Sequence, residues 1–346
     1  MSKALHRFLG RGTTAFLLLC SFLLCGSLLC AGAFLPRFAA NGNSATQSEV
    51  GRVALHTAKS SPLDLEVGGA LAGVEKGGTR YISREDLLAL PQVQFTVSGD
   101  DNFVAPVEVR GVTLEELAKQ LSESPQSDLV VAICDDSYRA NYSRAYLAAH
   151  HPVLVLEING NPPEGWPKYA QDNRSSMGPY MITHEHFTPR FTILSHPDEP
   201  QIPWGVVRLE FRNEEKVFGA IAPVGANANS PEVQAGFVIA KQNCFRCHNM
   251  DGEGGQKAAR PWLVLSAWAT ADADYFRGYV HDPQSKNPRA QMPAFPAYDA
   301  ATLDALRAYF RTFTSRPAAS HPPQNGPGAK TPGPAAAVKP AKGDQP

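Results

Sequence analysis

The chain is predicted to fold as a multidomain protein, a strand-rich α+β domain followed by a small all-α domain. Three features carry this prediction. Residues 62–223 break into short apolar runs separated by turn residues, the spacing of strands. Residues 230–315 instead carry helix starts and apolar residues at helical spacing. The remaining stretches are too biased to build a core: an uncharged run at 13–35, a small-residue linker at 37–61 and a Pro/Ala-rich tail at 316–346, expected to be disordered. A length of 346 residues suits about two domains. With 43% hydrophobic and 19% charged residues, the composition is that of a globular protein. The net charge is -1 and the basic residues are scattered, which excludes nucleic acid as a partner.

At the N-terminus Lys3, Arg7 and Arg11 precede the uncharged run from Thr13 to Leu35. The positive flank keeps that end in the cytoplasm and sends the rest out. The run is long for a signal-peptide core and close to a bilayer span, and Ala31-Gly32-Ala33 offers a cleavage site. Residues 1–36 therefore read as a signal peptide or a membrane anchor, and either exports the chain. Cys20, Cys25 and Cys30 in this run read as apolar filler or as a weak lipoprotein site. Beyond it only Cys134, Cys244 and Cys247 remain, so no structural disulfide is expected once two of them are committed elsewhere.

Within 62–223, residues 94–97 and 107–109 read as strands, the second ending before Gly111. Thr113 is placed to cap a short helix opening at Leu114. Residues 129–133 read as a buried strand, 143–149 as a helix, and 153–158 as a strand closed by the turn Asn159-Gly160-Asn161-Pro162. Residues 204–211 alternate as a strand. His184 and His186 share a face if extended, but two ligands make a poor metal site. His150-His151 reads as a turn or helix end. Asp135, Asp136 and Arg139 follow a strand end, where a polar site or a structural salt bridge can form.

Cys244-Phe245-Arg246-Cys247-His248 is C-x-x-C-H, the attachment pattern of c-type haem. Two thiols at this spacing, at the end of a helix, reach both vinyl groups of one porphyrin, and His248 then presents its imidazole to the iron. A zinc site would need a second ligand pair, and none follows in the sequence. A redox dithiol would need a preceding strand, whereas the stretch before Cys244 reads as a helix. Ser230-Pro231-Glu232 starts that helix, and Val233, Phe237 and Ala240 carry its apolar spacing to the motif. Further on, Met292 is the expected ligand for the other face of the iron, because a thioether is soft and raises the potential. Pro293 stiffens its loop. Met250 lies too near His248 to cross the ring, and His281 is the rival ligand. Residues 302–313 close the domain as a helix with Leu303, Leu306, Tyr309, Phe310 and Phe313 on its apolar face.

Together, C-x-x-C-H, Pro261, Met292-Pro293 and the aromatic closing helix resemble a class I c-type cytochrome domain over residues 230–315. The resemblance implies haem c bound covalently through Cys244 and Cys247, with His248 and Met292 as axial ligands. It also implies that Gly236 crosses Tyr309, and that the loop carbonyl at Pro261 orients His248. The aromatic usual just before the motif is replaced by Ala240, with Phe237 nearby.

Residues 62–223 resemble the molybdopterin-binding domain of the sulfite-oxidase type. The resemblance rests on Tyr81-Ile82-Ser83-Arg84-Glu85-Asp86-Leu87 with Leu90-Pro91, and on Val109-Arg110-Gly111-Val112-Thr113-Leu114-Glu115-Glu116-Leu117. It extends to Asp136-Ser137-Tyr138, Asn159-Gly160 and Gly178-Pro179-Tyr180-Met181-Ile182. That family ligates molybdenum through a cysteine in the stretch that here reads Ser98-Gly99-Asp100-Asp101-Asn102-Phe103. Cys134 falls one strand later. A molybdenum cofactor is therefore not expected, and the domain is expected to keep the fold without the metal.

The expected function is that of an exported c-type cytochrome carrying single electrons to and from redox partner proteins, in the periplasm or anchored to the cytoplasmic membrane through 13–35. Residues 62–223 would dock it or bind a ligand. Two alternatives stand beside it: a molybdenum-dependent sulfite-type oxidoreductase feeding its own haem, and a haem-linked ligand sensor.

Overall fold

The computed structural model describes residues 53–315. The expected signal peptide or anchor, most of the linker and the C-terminal tail lie outside the described residues. The end of the linker does not behave as one: Val53 and Leu55 pack against the first core, and His56 pairs with Tyr81 through backbone bonds of 2.9 Å in both directions. These apolar side chains extend the folded region upstream of residue 62.

The first half runs β1 (Leu65–Gly69), β2 (Thr79–Ile82), α1 (Arg84–Ala89), β3 (Val93–Val97), β4 (Val107–Thr113), α2 (Leu114–Gln120), β5 (Leu129–Cys134), β6 (Arg139–Ser143), α3 (Arg144–His150) and β7 (Val153–Ile158). It continues through β8 (Met181–Thr183), β9 (Thr192–Ile193), β10 (His196–Pro197), β11 (Val206–Arg212) and α4 (Glu214–Gly219). One sheet has the order β2-β1-β11-β5-β6, with β1 and β11 parallel and the other pairs antiparallel. A second, antiparallel throughout, has the order β3-β4-β7-β8. Both sheets contribute to a core with α2 and α3, through residues such as Leu65, Leu117, Tyr142, Leu154 and Leu209.

Local chemistry accounts for the boundaries. Ser83, Thr113 and Ser143 each accept a backbone N–H with the side chain and so start α1, α2 and α3. The strand expected to stop before Gly111 runs through it to Thr113. A Cβ at Gly111 would sit 2.1 Å from the Leu154 carbonyl oxygen, so glycine lets β4 stay paired with β7 through the register shift there. The strand expected from residue 204 begins at Val206, because Gly205 takes the left-handed φ of +71°.

The second half is helical: α5 (Pro231–Gln242), the short hairpin β12 (Asn249–Met250) and β13 (Glu253–Gly254), then α6 (Trp262–Ala271), α7 (Ala273–His281), α8 (Pro283–Lys286) and α9 (Ala300–Arg311). Ser230 caps α5 and Asp299 caps α9. The closing helix starts two residues earlier than expected, and Phe313 falls in the 3-10 turn Thr312–Ser315 that follows it. Helices α5 and α9 cross at Gly236, where a Cβ would lie 2.0 Å from the Ala305 carbonyl oxygen and 2.7 Å from Tyr309 Cβ. The Tyr309 hydroxyl donates to the Ile221 carbonyl at 2.6 Å.

The two halves are not separate in packing. Leu129 and Val131 of β5 and Val217 and Phe218 of α4 belong to the same apolar cluster as Phe245, Trp262, Leu306 and Tyr309. Asp135, Asp136 and Arg139 form no site of their own. Asp136 pairs with Lys257 at 2.6 Å and Arg139 reaches Glu253 at 3.8 Å, both across to the second half.

The histidine pair also separates. His184 is buried with Nε2 3.0 Å from the Tyr146 hydroxyl, whereas the His186 side chain is 88% exposed. Among the described residues no group of three His, Cys, Asp or Glu is placed to hold a metal. His150 ends α3, buried, and stacks on Phe187 with centroids 4.5 Å apart. Burial, with His150 beside it, pushes His184 down to about 3.

Two outcomes follow from these contacts. Gly236→Val forces the α5–α9 crossing apart and is expected to cost about 2–4 kcal/mol or more in a denaturant titration. His184 stays neutral in the folded protein below the unfolded-state value of about 6.5, so its contribution is full above that pH. It is lost as the pH falls toward about 3, at about 1.4 kcal/mol per pH unit. His184→Gln should flatten this acid limb when urea unfolding is followed between about pH 7 and about pH 4.

Candidate haem site

Helix α5 delivers the motif. After Gln242 the chain tightens into the 3-10 turn Cys244–Arg246, and the N–H groups of Cys247 and His248 both donate to the Cys244 carbonyl, at 3.2 and 3.0 Å. Phe245 anchors this turn. It is fully buried, 5.6 Å from Trp262 edge-to-face and 5.9 Å from Phe218 between ring centroids. With Phe245 turned inward, the flanking thiols of Cys244 and Cys247 are half-buried and unpaired. Burial pushes the Cys244 thiol up to about 12. Cys247 is also raised by burial, against the pull of Lys257 and Arg246.

The glycine-rich run after His248 lets the chain double back under the turn. A Cβ on Gly255 would lie 1.8 Å from the Arg246 carbonyl oxygen, so only glycine passes. The Gly255 N–H then donates to the Phe245 carbonyl at 2.9 Å, and the Ala258 N–H to that of Cys247 at 3.0 Å.

His248 is buried, with Nδ1 2.6 Å from the Arg260 carbonyl oxygen. A carbonyl only accepts, so Nδ1 carries the proton and Nε2 keeps its lone pair for a metal. Burial lowers the basicity of His248, partly offset by this bond. The orienting carbonyl belongs to Arg260, one residue before the Pro261 that the family resemblance singled out. Pro261 acts on it indirectly, by restricting Arg260 to extended backbone and by starting α6. The Arg260 guanidinium lies 4.8 Å from the Trp268 ring centroid.

Met292 is half-buried against the same apolar cluster as Cys244 and Phe295. Its carbonyl accepts from Gln284 Nε2 at 3.1 Å, which holds the loop to α8. His281 is exposed, and its carbonyl accepts the Phe295 N–H at 3.2 Å. Met250 is buried in the core on β12.

Two half-buried neutral thiols, an imidazole with a free Nε2 and a thioether on the same apolar cluster fit haem c. Bound there, the group would supply a one-electron iron couple. A thiolate-bound molybdenum does not fit. The stretch 98–103 holds no sulfur, and its Asp100 carboxyl is engaged by the Thr183 hydroxyl at 2.7 Å. Cys134 is buried at the end of β5, and burial with Asp136 and Asp135 alongside pushes its thiol far up. Sequence reasoning missed Arg260, His196, Tyr298 and Asn243. The last three are joined by side-chain bonds across positions far apart in the chain, which no local pattern announces.

Cys244→Ala with Cys247→Ala is expected to abolish haem that survives denaturing electrophoresis, and each single change to leave a reduced, one-thioether fraction visible by mass spectrometry.

Residues 233–314 match the family model described as cytochrome c. Among solved structures, the chain is similar to the sulfane dehydrogenase SoxCD from Paracoccus pantotrophus, with a TM-score of 0.31 and 13% identity. That match covers 50% of this chain and 45% of that one, so it spans less than half of the relative. No curated protein matches the chain. The C-terminal residues 233–314 are a cytochrome c domain, which implies covalently bound haem c and electron transfer through it.

Proposed function

We propose that this chain is an exported electron carrier. Cys244 and Cys247 would hold haem c covalently and His248 and Met292 would ligate its iron, which would supply single-electron transfer between redox partner proteins. Residues 62–223 form the body that docks the haem domain or binds a ligand. The observation that carries this reading is the 2.6 Å bond from His248 Nδ1 to the Arg260 carbonyl, which commits one ring nitrogen and leaves the lone pair of the other for a metal. With side chains on both axial positions no coordination site is left for a substrate, which favours transfer over chemistry at the iron.

Export rests on the positive flank and the apolar run at 13–35, and thioether attachment in bacteria takes place outside the cytoplasmic membrane. Partners are then sought in the periplasm or on the outer face of that membrane. Among the described residues no helix is long and apolar enough to cross a membrane, and 13–35 lies outside them.

Metal analysis with reduced-minus-oxidised absorbance, on protein matured by c-haem assembly machinery, tests the reading. About one iron per chain with a c-type spectrum and no molybdenum is expected. Molybdenum at a comparable level would make the chain an oxidoreductase with its own catalytic centre. Met292→Ala is expected to lower the midpoint potential and to open the iron to added imidazole, followed by titration. An unchanged potential would overturn Met292 as a ligand of the iron.

A further inference from the structure

A continuous chain of side-chain hydrogen bonds crosses from the first half into the haem domain. It starts at Asn243, the residue before Cys244, whose Nδ2 donates to the Tyr298 hydroxyl at 2.8 Å. That hydroxyl lies 2.9 Å from His196 Nδ1, and His196 Nε2 lies 2.5 Å from Gln242 Oε1. Gln242 Nε2 donates to Asp198 Oδ1 at 2.6 Å. The directions are determined. Gln242 spends its N–H on the carboxylate, so its oxygen accepts and His196 donates from Nε2. His196 Nδ1 therefore accepts from Tyr298, which accepts in turn from Asn243. Every bond points the same way, toward a carboxylate, an order in which neighbouring bonds strengthen one another. His196, Asp198 and Tyr298 are buried, so water is no substitute for a lost partner.

Both ends of the haem apparatus meet on this chain. Gln242 and Asn243 close the helix that carries Cys244. Tyr298 closes the arm that carries Met292: its N–H donates to the Phe295 carbonyl at 3.1 Å and its ring stacks on Phe295 with centroids 5.0 Å apart. The β9–β10 hairpin grips the same arm a second time. Ser195 N–H donates to Thr302 Oγ1 at 3.0 Å, and the Asp299 N–H donates to Ser195 Oγ at 3.0 Å, at the start of α9. Asp198, Glu199 and Arg246 are the charged groups that bear on His196, and its burial keeps the ring neutral.

We propose that His196, on the β9–β10 hairpin, is a positioning residue for the haem: through Tyr298 and Gln242 it sets the Met292 arm against the Cys244 helix, so residues 62–223 govern the ligation of the iron. This rests on the reading of Met292 as an axial ligand.

The test uses the full-length, haem-loaded protein and two readouts, the far-red charge-transfer band of methionine-ligated ferric haem and the midpoint potential. His196→Phe and Tyr298→Phe are expected to lose or weaken the band and to lower the potential. His196→Gln, which can still donate and accept, should restore part of both. Glu214→Gln removes an ion pair between the halves, 3.4 Å from Lys241 Nζ and away from this chain of bonds, and should change neither. The proposal is overturned if His196→Phe and Tyr298→Phe carry covalent haem with the wild-type band and potential. Should His196→Phe not fold, Tyr298→Phe, which removes a single oxygen, decides alone. A wild-type protein with covalent haem but no such band overturns the Met292 reading as well, and is told apart because no variant is needed to see it.

Discussion

Helices α5 and α9 touch backbone to backbone at Gly236, and the rest of the haem domain is arranged around that contact. A side chain there would overlap the Ala305 carbonyl and Tyr309, so the approach exists only because position 236 is glycine. The crossing puts Tyr309 against Phe237 and Trp262, and Trp262 against Phe245 and Phe310. Phe245 is the second residue of the motif turn. The geometry of the thiols is therefore inherited from a helix crossing two turns of α5 away, transmitted through buried rings that have no room to shift.

The first half acts on this core as a wall. Its strand β5 and helix α4 supply apolar side chains to the cluster that holds Phe245, and its polar residues meet the loop that follows His248. Arg212 pairs with Glu210 at 2.9 Å and with Glu253, and Glu253 also lies near Arg139, so an ion-pair ladder runs from β11 onto β13. These side chains are 15–28% exposed, so removing one partner would leave a largely buried charge unpaired.

Much of this was legible along the chain. The caps at Thr113, Ser143 and Ser230 act within three residues, so their local pattern sufficed. Strand β7 and its Asn159-Gly160 turn were legible for the same reason, as the turn needs two left-handed residues in sequence. What misled was also local. Gly111 looked like a strand end because glycine ends strands, but here it admits the Leu154 carbonyl. Pro261 drew attention to itself, while the atom that orients His248 belongs to the less distinctive Arg260 before it.

By itself the sequence determined the order of a strand-rich half and a helical half and the C-x-x-C-H turn at the end of a helix, while the glycine at the helix crossing was implied only by the resemblance to class I c-type cytochromes. The first two depend on neighbours a few positions apart, where spacing and propensity act directly. Only the tertiary structure decided that β5 and α4 join the core of the helical half, that Cys134 is sealed away, and that Asn243, Tyr298, His196, Gln242 and Asp198 form one line of bonds. Those outcomes join residues separated by tens to a hundred positions, and they exist because buried polar groups must find their partners within the fold.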